Sequence, residues 1–371
     1  MLKKLFKKMV PKKKALTHAV LPPLRLRNTL SGELEEFSPL GRVVKMYNCG
    51  PTVYDYVHIG NLRAYVTADT IRRSLLAWGY KVEQAINITD FGHLVSDADE
   101  GEDKMTKGLK REKMKVTMAN MAKLSEKYAE AFLEDIGQLG LDVEHIRFPR
   151  ASAYIPEQIA LVKSLEQKGY AYRLDDGVYY DTSRFAGYGK LGDQNLQGQE
   201  AGARLEVNTK KRHPADFVLW KSDKKLGWES PWGLGFPGWH TECVAMIFTL
   251  LGKQIDIHTG GIDHIAIHHN NELAQAEAAT GKQFARYWLH GEFITIEDKK
   301  VSKSLRNTVS LRNLVDKGLS PRALRYWFLS GHYKTPMNFT WDAIEGANTA
   351  YTRLARAFLE LPPSTMRPDP A

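Results

Sequence analysis

The sequence predicts an α/β protein: a Rossmann-like parallel sheet with an inserted α+β subdomain and a C-terminal helical segment. Three observations predict it. Val43–Tyr47, Leu62–Trp78 and Val82–Ile88 have the pattern of strand, helix and strand. That is a right-handed βαβ unit, which makes neighbouring strands parallel and gathers ligands at their carboxyl ends. From about Phe91 to Arg212 the pattern changes to amphipathic helices and a hairpin. Short apolar runs at Phe217–Trp220, Ile255–His258 and Arg286–His290 then restore the strand pattern.

Leu24–Asn28 is a further strand, separated from Val43–Tyr47 by a turn at Ser31-Gly32. The helix Leu62–Trp78 stops at Gly79. Inside the inserted stretch, Met118, Met121, Leu124, Tyr128, Phe132 and Ile136 repeat at helical spacing, which predicts a helix over Val116–Leu139. Ile155–Lys168 is a second helix, ended by Gly169, and Tyr170–Tyr180 is a hairpin around Asp175-Asp176-Gly177. Ser96–Asp103 is an acidic loop, and Tyr188–Ala203 is polar and Gly-rich. After the insertion come a Gly- and Trp-rich loop at Ser230–Glu242 and helices at Cys243–Leu251 and Ile267–Thr280. Glu292–Glu297 closes the sheet with a hairpin. Leu311–Lys317, Pro321–Ser330 and Ala343–Leu361 are the last helices. These signals divide the chain into segments at 1–23, 24–91, 92–212, 213–298, 299–342 and 343–371.

The composition, 43% hydrophobic and 26% charged over 371 residues, excludes a disordered or fibrous chain and supplies a large core. No apolar run approaches the ~18 residues of a membrane span. Two cysteines cannot make a disulfide framework, which points to a reducing cytoplasm. The net charge of +9 is concentrated at the start: residues 1–14 hold seven lysines and no acid. Such a run is a solvated, disordered tail; its apolar positions also fit a basic helix face that touches RNA or a membrane surface.

Two stretches carry candidate chemistry. His58-Ile59-Gly60-Asn61 follows a Gly50-Pro51 turn and opens a helix, where unpaired N–H groups and the helix dipole suit a phosphate. Gly60 lets a nucleotide approach the backbone, and His58 adds a donor. The second is a scattered set of metal-type side chains. Cys49 ends a strand, Cys243 opens a helix, and His268 and Glu272 are spaced i, i+4 on one helix face. Two thiolates, an imidazole and a carboxylate make a zinc shell. Each spacing alone is also what core cysteines and surface helix pairs show. Lys299-Lys300-Val301-Ser302-Lys303-Ser304, taken alone, is a solvated charge run.

Taken together these segments resemble cysteinyl-tRNA synthetase, a class I aminoacyl-tRNA synthetase, from about Leu24 to about Leu361. The matching pieces are Cys49-Gly50-Pro51-Thr52-Val53-Tyr54-Asp55, His58-Ile59-Gly60-Asn61, Asn87-Ile88-Thr89-Asp90, Pro237 to Cys243, His268-His269-Asn270-Asn271-Glu272 and the 300–304 loop. The resemblance implies one Zn2+ held by Cys49, Cys243, His268 and Glu272, with ATP and Mg2+ as the nucleotide substrate. It assigns the catalytic work to His58, Asn61, Lys300 and Lys303. Gly60, Gly260, Gly261, Asp263 and Lys303 would bind the nucleotide; Gly50, Thr52, Thr89 and Trp239 would bind L-cysteine. Cysteine and serine differ only in sulfur against oxygen, which shape separates poorly, whereas zinc prefers a thiolate. Val301 stands where the family has methionine in its Lys-Met-Ser-Lys-Ser loop, and Arg306 where it has glycine.

The implied partners are tRNA(Cys), L-cysteine and ATP, with a cytoplasmic monomer expected. Family members usually continue past this sequence into a helical bundle and an anticodon-binding domain, so the expectation is either a naturally short form or a fragment, with the catalytic residues present and most tRNA-reading elements outside it. Two other functions use a similar core: a cysteine ligase to an amino sugar, as in mycothiol synthesis, and a catalytically silent zinc- or RNA-binding paralog. Retention of His58, Lys300 and Lys303 speaks against the silent form.

Overall fold

The computed structural model describes residues 22–92, 103–192, 210–300 and 308–361. The basic tail, the acidic loop after Gly92, most of the polar stretch 188–203, Lys303 with Arg306, and the Pro-rich end lie outside the described residues.

A hairpin opens the fold: β1 (Arg25–Arg27) pairs antiparallel with β2 (Leu34–Glu36). The βαβ unit follows as β3 (Val43–Asn48), α1 (Ile59–Ala77) and β4 (Lys81–Ile86), with β3 and β4 parallel in register Val43 to Lys81. Next come α2 (Lys104–Arg111), α3 (Met118–Gln138), β5 (Ile146–Arg147) and α4 (Ile155–Gln167). The predicted hairpin is β6 (Ala171–Leu174) with β7 (Gly177–Tyr180). The chain continues through β8 (Phe217–Ser222), β9 (Gly235–Pro237), α5 (Trp239–Leu250), β10 (Ile255–Gly261), α6 (Asn270–Thr280) and β11 (Ala285–Gly291). Beyond the sheet lie β12 (Ile294–Ile296), β13 (Lys299–Lys300), α7 (Leu311–Asp316), α8 (Pro321–Ser330), β14 (Met337–Phe339) and α9 (Trp341–Glu360).

The central sheet is five-stranded and parallel, in the order β11-β10-β3-β4-β5. From β3 the chain moves outward to β4 and β5; it returns on the other side as β10 and β11. The order therefore reverses between β3 and β10, where an α/β sheet opens a crevice at its carboxyl edge.

Several strand placements differ from the sequence expectation. Phe217–Ser222 does not resume the parallel sheet; it lies between β7 and β9 in an antiparallel sheet of order β6-β7-β8-β9. A four-residue apolar run specifies burial on both faces and says nothing about which strand it joins. Conversely, Ile146–Arg147, within the stretch read as an insertion, pairs with β4 at the edge of the parallel sheet. Leu24–Asn28 serves the opening hairpin, and Ile294–Ile296 forms a separate three-stranded sheet with β13 and β14. Helix α4 packs in one core with α5: Ile155, Leu161, Val162 and Leu165 share a cluster with Val244 and Ile247.

Arg63 ties the catalytic sheet to the elements after it. Only 3% exposed on α1, its guanidinium donates to the carbonyls of Glu292 (2.9 Å), Phe293 (3.2 Å), His332 (3.1 Å) and Thr335 (2.8 Å). Five donors in a planar fork suit this role, and no other side chain could satisfy four carbonyls from two segments. Arg63→Met should therefore cost about 3 kcal/mol of stability, because four carbonyls lose a shared charged donor. Thermal unfolding checks this; an unchanged midpoint would show that the carbonyls find other donors.

Candidate active site

The crevice between β3 and β10 is a cleft of about 320 Å³. Of the side chains singled out in the sequence, Cys49, Gly50, Thr52, His58, Gly60, Asn61, Trp239, Gly261, Asp263 and His268 line it. Cys243, Glu272, Thr89 and Gly260 stand behind the lining. Lys303 lies outside the described residues, and of Lys300 only the backbone, in β13, is described.

One rim is the start of α1. His58 is its N-cap: Nδ1 accepts from Gly60 N (3.1 Å), and Asn61 Oδ1 accepts from His58 N (3.4 Å), a reciprocal capping box. In the neutral ring, an accepting Nδ1 leaves the proton on Nε2, so the imidazole offers a donor. Asn61 is thus part of the cap that fixes His58. Ser310 bridges His58, and Ile59 N donates to Val309 O (2.8 Å), so the segment after the lysine loop starts at this rim.

The opposite wall is built from four elements. Cys49 follows β3 directly, and its N–H continues the ladder to Thr259 O (3.2 Å). Trp239 and Cys243 lie on α5. His268 comes from a π-turn, Ile265–His269, that leads into α6 and its Glu272. Such turns add a residue to the helix ladder, and here the widened turn carries two adjacent histidines into the site. The donor atoms of Cys49, Cys243, His268 and Glu272 lie within 4.8 Å of one another, all buried. His268 Nε2 is 2.8 Å from Glu272 Oε1, Cys243 Sγ 3.7 Å from His268 Nε2, and Cys49 Sγ 3.5 Å from Glu272 Oε1.

A second set overlaps the first: Cys49, His258, His269 and Glu272 meet the same distance limit. The two are told apart by access. Cys49 and His268 of the first set reach the cleft lining; of the second only Cys49 does. His258 is fully buried and stacked on Trp288 (4.6 Å between centroids, 13°), and His269 Nδ1 is engaged by His290 Nε2 (2.7 Å). His258 Nε2 instead meets Glu272 Oε2 at 2.8 Å, the position of a group that orients a ligand. The first set, two thiols with an imidazole and a carboxylate, fits a tetrahedral zinc ion.

Electrostatics follow from burial and pairing. Burial pushes the Glu272 carboxyl up, but the His258 and His268 imidazoles hold it well below the usual carboxylate range. Burial pulls the His268 imidazole down, yet the Glu272 carboxylate and the Cys243 thiol raise it to about 10. Burial raises the thiols too: Cys49 stays well above its ordinary value, whereas contacts with Cys49 and His268 bring Cys243 to about 6. Burial keeps His240, His269 and His290 neutral.

Other assignments change in kind. A Cβ on Gly260 would meet His264 Nδ1 at 2.5 Å and His269 Cε1 at 2.7 Å, so this glycine makes room for the packed histidines. Thr89 bridges Thr52 in parallel and its hydroxyl donates to Glu242 Oε2 (2.8 Å), beneath the cleft floor. Trp239 stacks on His268 at 3.9 Å between centroids. Sequence reasoning missed the supporting histidines His240, His264, His269 and His290; their only signal was the number of histidines between Trp239 and Gly291. It also missed Lys104, which lines the cleft.

Residues 36–349 match the family model for the tRNA synthetases class I (C) catalytic domain. The chain is 47% identical over 347 residues to cysteine–tRNA ligase 1 of Burkholderia lata, covering 92% of this chain and 72% of the relative. It is 45% identical over 337 residues to the cysteine–tRNA ligase of Treponema denticola, covering 89% and 67%. In fold it resembles Mycobacterium tuberculosis methionyl-tRNA synthetase, solved in complex with methionyl-adenylate, with a TM-score of 0.61 at 14% identity over 82% of this chain and 68% of that one.

Gly50 gives this site its sharpest steric test. It precedes the turn over the cleft floor, its N–H donates to Asn87 Oδ1 (2.8 Å), and an added Cβ would stand 1.5 Å from Asn87 O. Gly50→Ala must push the ends of β3 and β4 apart, at a cost of about 2 kcal/mol or more. The neighbouring Cys49 would move with it. A lowered thermal midpoint is expected; an unchanged one would mean that the backbone here relaxes freely.

Proposed function

Because the chain belongs to the class I aminoacyl-tRNA synthetases, as a cysteine–tRNA ligase, we propose that it activates L-cysteine with ATP and transfers the cysteinyl group to tRNA(Cys), with a zinc ion selecting the substrate thiolate. In the first step a carboxylate oxygen of cysteine attacks the α-phosphorus of Mg2+-bound ATP, forming cysteinyl-adenylate and releasing pyrophosphate. In the second a ribose hydroxyl at the tRNA end attacks the carbonyl carbon and AMP leaves. The observation that carries the proposal is the convergence of Cys49, Cys243, His268 and Glu272 on the wall of the same cleft whose rim is His58-Ile59-Gly60-Asn61.

Cys49, Cys243, His268 and Glu272 hold the zinc. Bound there, zinc supplies a preference for a thiolate over a hydroxyl, the distinction that shape cannot make. Trp239 walls the amino-acid pocket, and Gly50 and Thr52 shape its floor. The His58 Nε2–H and the backbone at Gly60 meet phosphate oxygens at the start of α1, where the helix dipole adds to the attraction. Gly261 and Asp263 receive the ribose, with Asp263 as acceptor. Lys303, assisted by Lys300, neutralises the leaving pyrophosphate; this assignment rests on the resemblance of 300–304 to the Lys-Met-Ser-Lys-Ser loop. Its two flanks support it, since β13 pairs with β12 on one side and Ser310 bridges His58 on the other. Both reactants are anions, so the chain's contribution to rate is positioning and charge neutralisation.

Cysteine-dependent exchange of pyrophosphate into ATP, with serine as the control, tests the activity. Cys243→Ser should lose stoichiometric zinc and lose the exchange with it. Full exchange by a zinc-free Cys243→Ser protein would overturn the zinc assignment. Lys303→Ala should lower the rate of activation by ~10²-fold or more with little change in cysteine affinity, since its charge is needed mainly in the transition state. If the variant shows only a raised KM for cysteine, Lys303 belongs to ground-state binding instead.

A further inference from the structure

We propose that Lys104 binds the α-carboxylate of the amino-acid substrate; the inference rests on the cysteine-activation reading above. Among the described residues lining the cleft, Lys104 is the only lysine or arginine. Its Nζ lies 5.4 Å from the centroid of the Trp239 ring, and no carboxylate among the described residues pairs with it. An ammonium held over an indole face keeps its N–H donors available for an anion.

The helix that carries Lys104 is fixed at both ends. Asp103 caps its start, accepting from Met105 N (2.9 Å) and Thr106 N (3.0 Å). Arg111 closes its end, pairing with Asp55 (2.8 Å) and donating to Tyr54 O (2.7 Å), both on cleft residues. Between them Met105 and Leu109 are fully buried, and Gly108 sits so close that a Cβ would stand 2.7 Å from Tyr54 O. A helix seated this closely against Tyr54 and Asp55 delivers its first residue to one place. The pairing of Arg111 with Asp55 also occupies one of the two lining carboxylates.

Substrate chemistry says what belongs there. In cysteine the carboxyl carbon is three bonds from the sulfur. With the sulfur at Cys49 and His268, the carboxylate must fall close to Trp239, whose ring stacks on His268. It must also present an oxygen toward a triphosphate entering at His58. A negative group placed against Trp239 and facing further anions needs a cation, and Lys104 is the described residue that supplies one.

The test titrates the zinc-loaded protein calorimetrically with L-cysteine and with cysteamine, which keeps the thiol and lacks the carboxylate. Lys104→Ala should weaken L-cysteine binding by about tenfold or more while cysteamine stays within about twofold; Lys104→Arg should keep most of the cysteine affinity. Cysteamine binding also reports that the variant is folded and metal-loaded. Equal weakening of both thiols would make Lys104 a shaper of the pocket, and no weakening of either would remove it from the site; both outcomes overturn the proposal. If the wild-type protein binds no L-cysteine, the cysteine-activation reading falls first and the Lys104 assignment with it.

Discussion

Glu272 is a fully buried carboxylate whose two oxygens each lie 2.8 Å from an imidazole, His258 on one side and His268 on the other. A charge taken out of water costs several kcal/mol unless its partners are fixed in place. The surrounding structure can be understood as what fixes them. Against the pull of burial, the Glu272 carboxylate and the Cys243 thiol raise the His268 imidazole, and His268 Nδ1 meets His240 Nδ1 at 2.8 Å on its other side. Burial pulls the His240 imidazole well below its ordinary value. On the other side a chain runs from Cys49 Sγ to His269 Nε2 (3.2 Å), then to His290 and to the Thr29 hydroxyl (2.8 Å).

The same constraint explains the local backbone. Helix α6 needs Glu272 beneath His268, which ordinary i, i+4 spacing supplies, and it also needs His269 turned toward Cys49. An unbroken α-helix separates adjacent side chains by about 100°, and the π-turn at Ile265–His269 relieves this. Gly260, at the end of β10, then has to lack a side chain because His264 and His269 fill that space. Asn48 and Thr259 hold β3 and β10 together through a side-chain hydrogen bond just before the strands part. The cleft opens where the strand order reverses, so Cys49 reaches it from one side of the switch and Gly261 and Asp263 from the other.

The candidate site was legible through the resemblance: Cys49, Cys243, the His268 and Glu272 pair and Gly60 each look ordinary alone, and only the family's motifs join them. The βαβ unit was legible because Val43–Tyr47 and Leu62–Trp78 differ in period. The destination of Phe217–Trp220 was not, because a short apolar run carries no information about its neighbours. The supporting histidines were hidden for a related reason: a lone histidine among apolar residues looks like core whether or not it orients a ligand. Gly50 and Gly260 could be picked out as special, but the contacts that require them, to Asn87 O and to the His264 and His269 rings, come from distant segments. Lys104 was obscured by its charged surroundings, since only the fold shows that Gly108 seats its helix against Tyr54.

On the proposed reading the cleft separates two tasks by their chemistry. At one end buried thiols and imidazoles offer soft donors that suit a thiolate better than a hydroxyl. At the other, the exposed start of α1 offers N–H groups and a helix dipole to hard phosphate oxygens. A single uniformly basic cleft would attract the triphosphate everywhere and leave the amino acid no preferred orientation. Pairing Asp55 with Arg111 and keeping the charge of Glu272 behind the lining leaves the cleft wall lightly charged between its ends. On the proposed reading the sulfur is drawn to the donor cluster and Lys104 holds the carboxylate between that cluster and the phosphate rim. Because binding at the soft end acts on ground state and transition state alike, it sets which amino acid enters; the rate is set where charge moves, at the phosphate end.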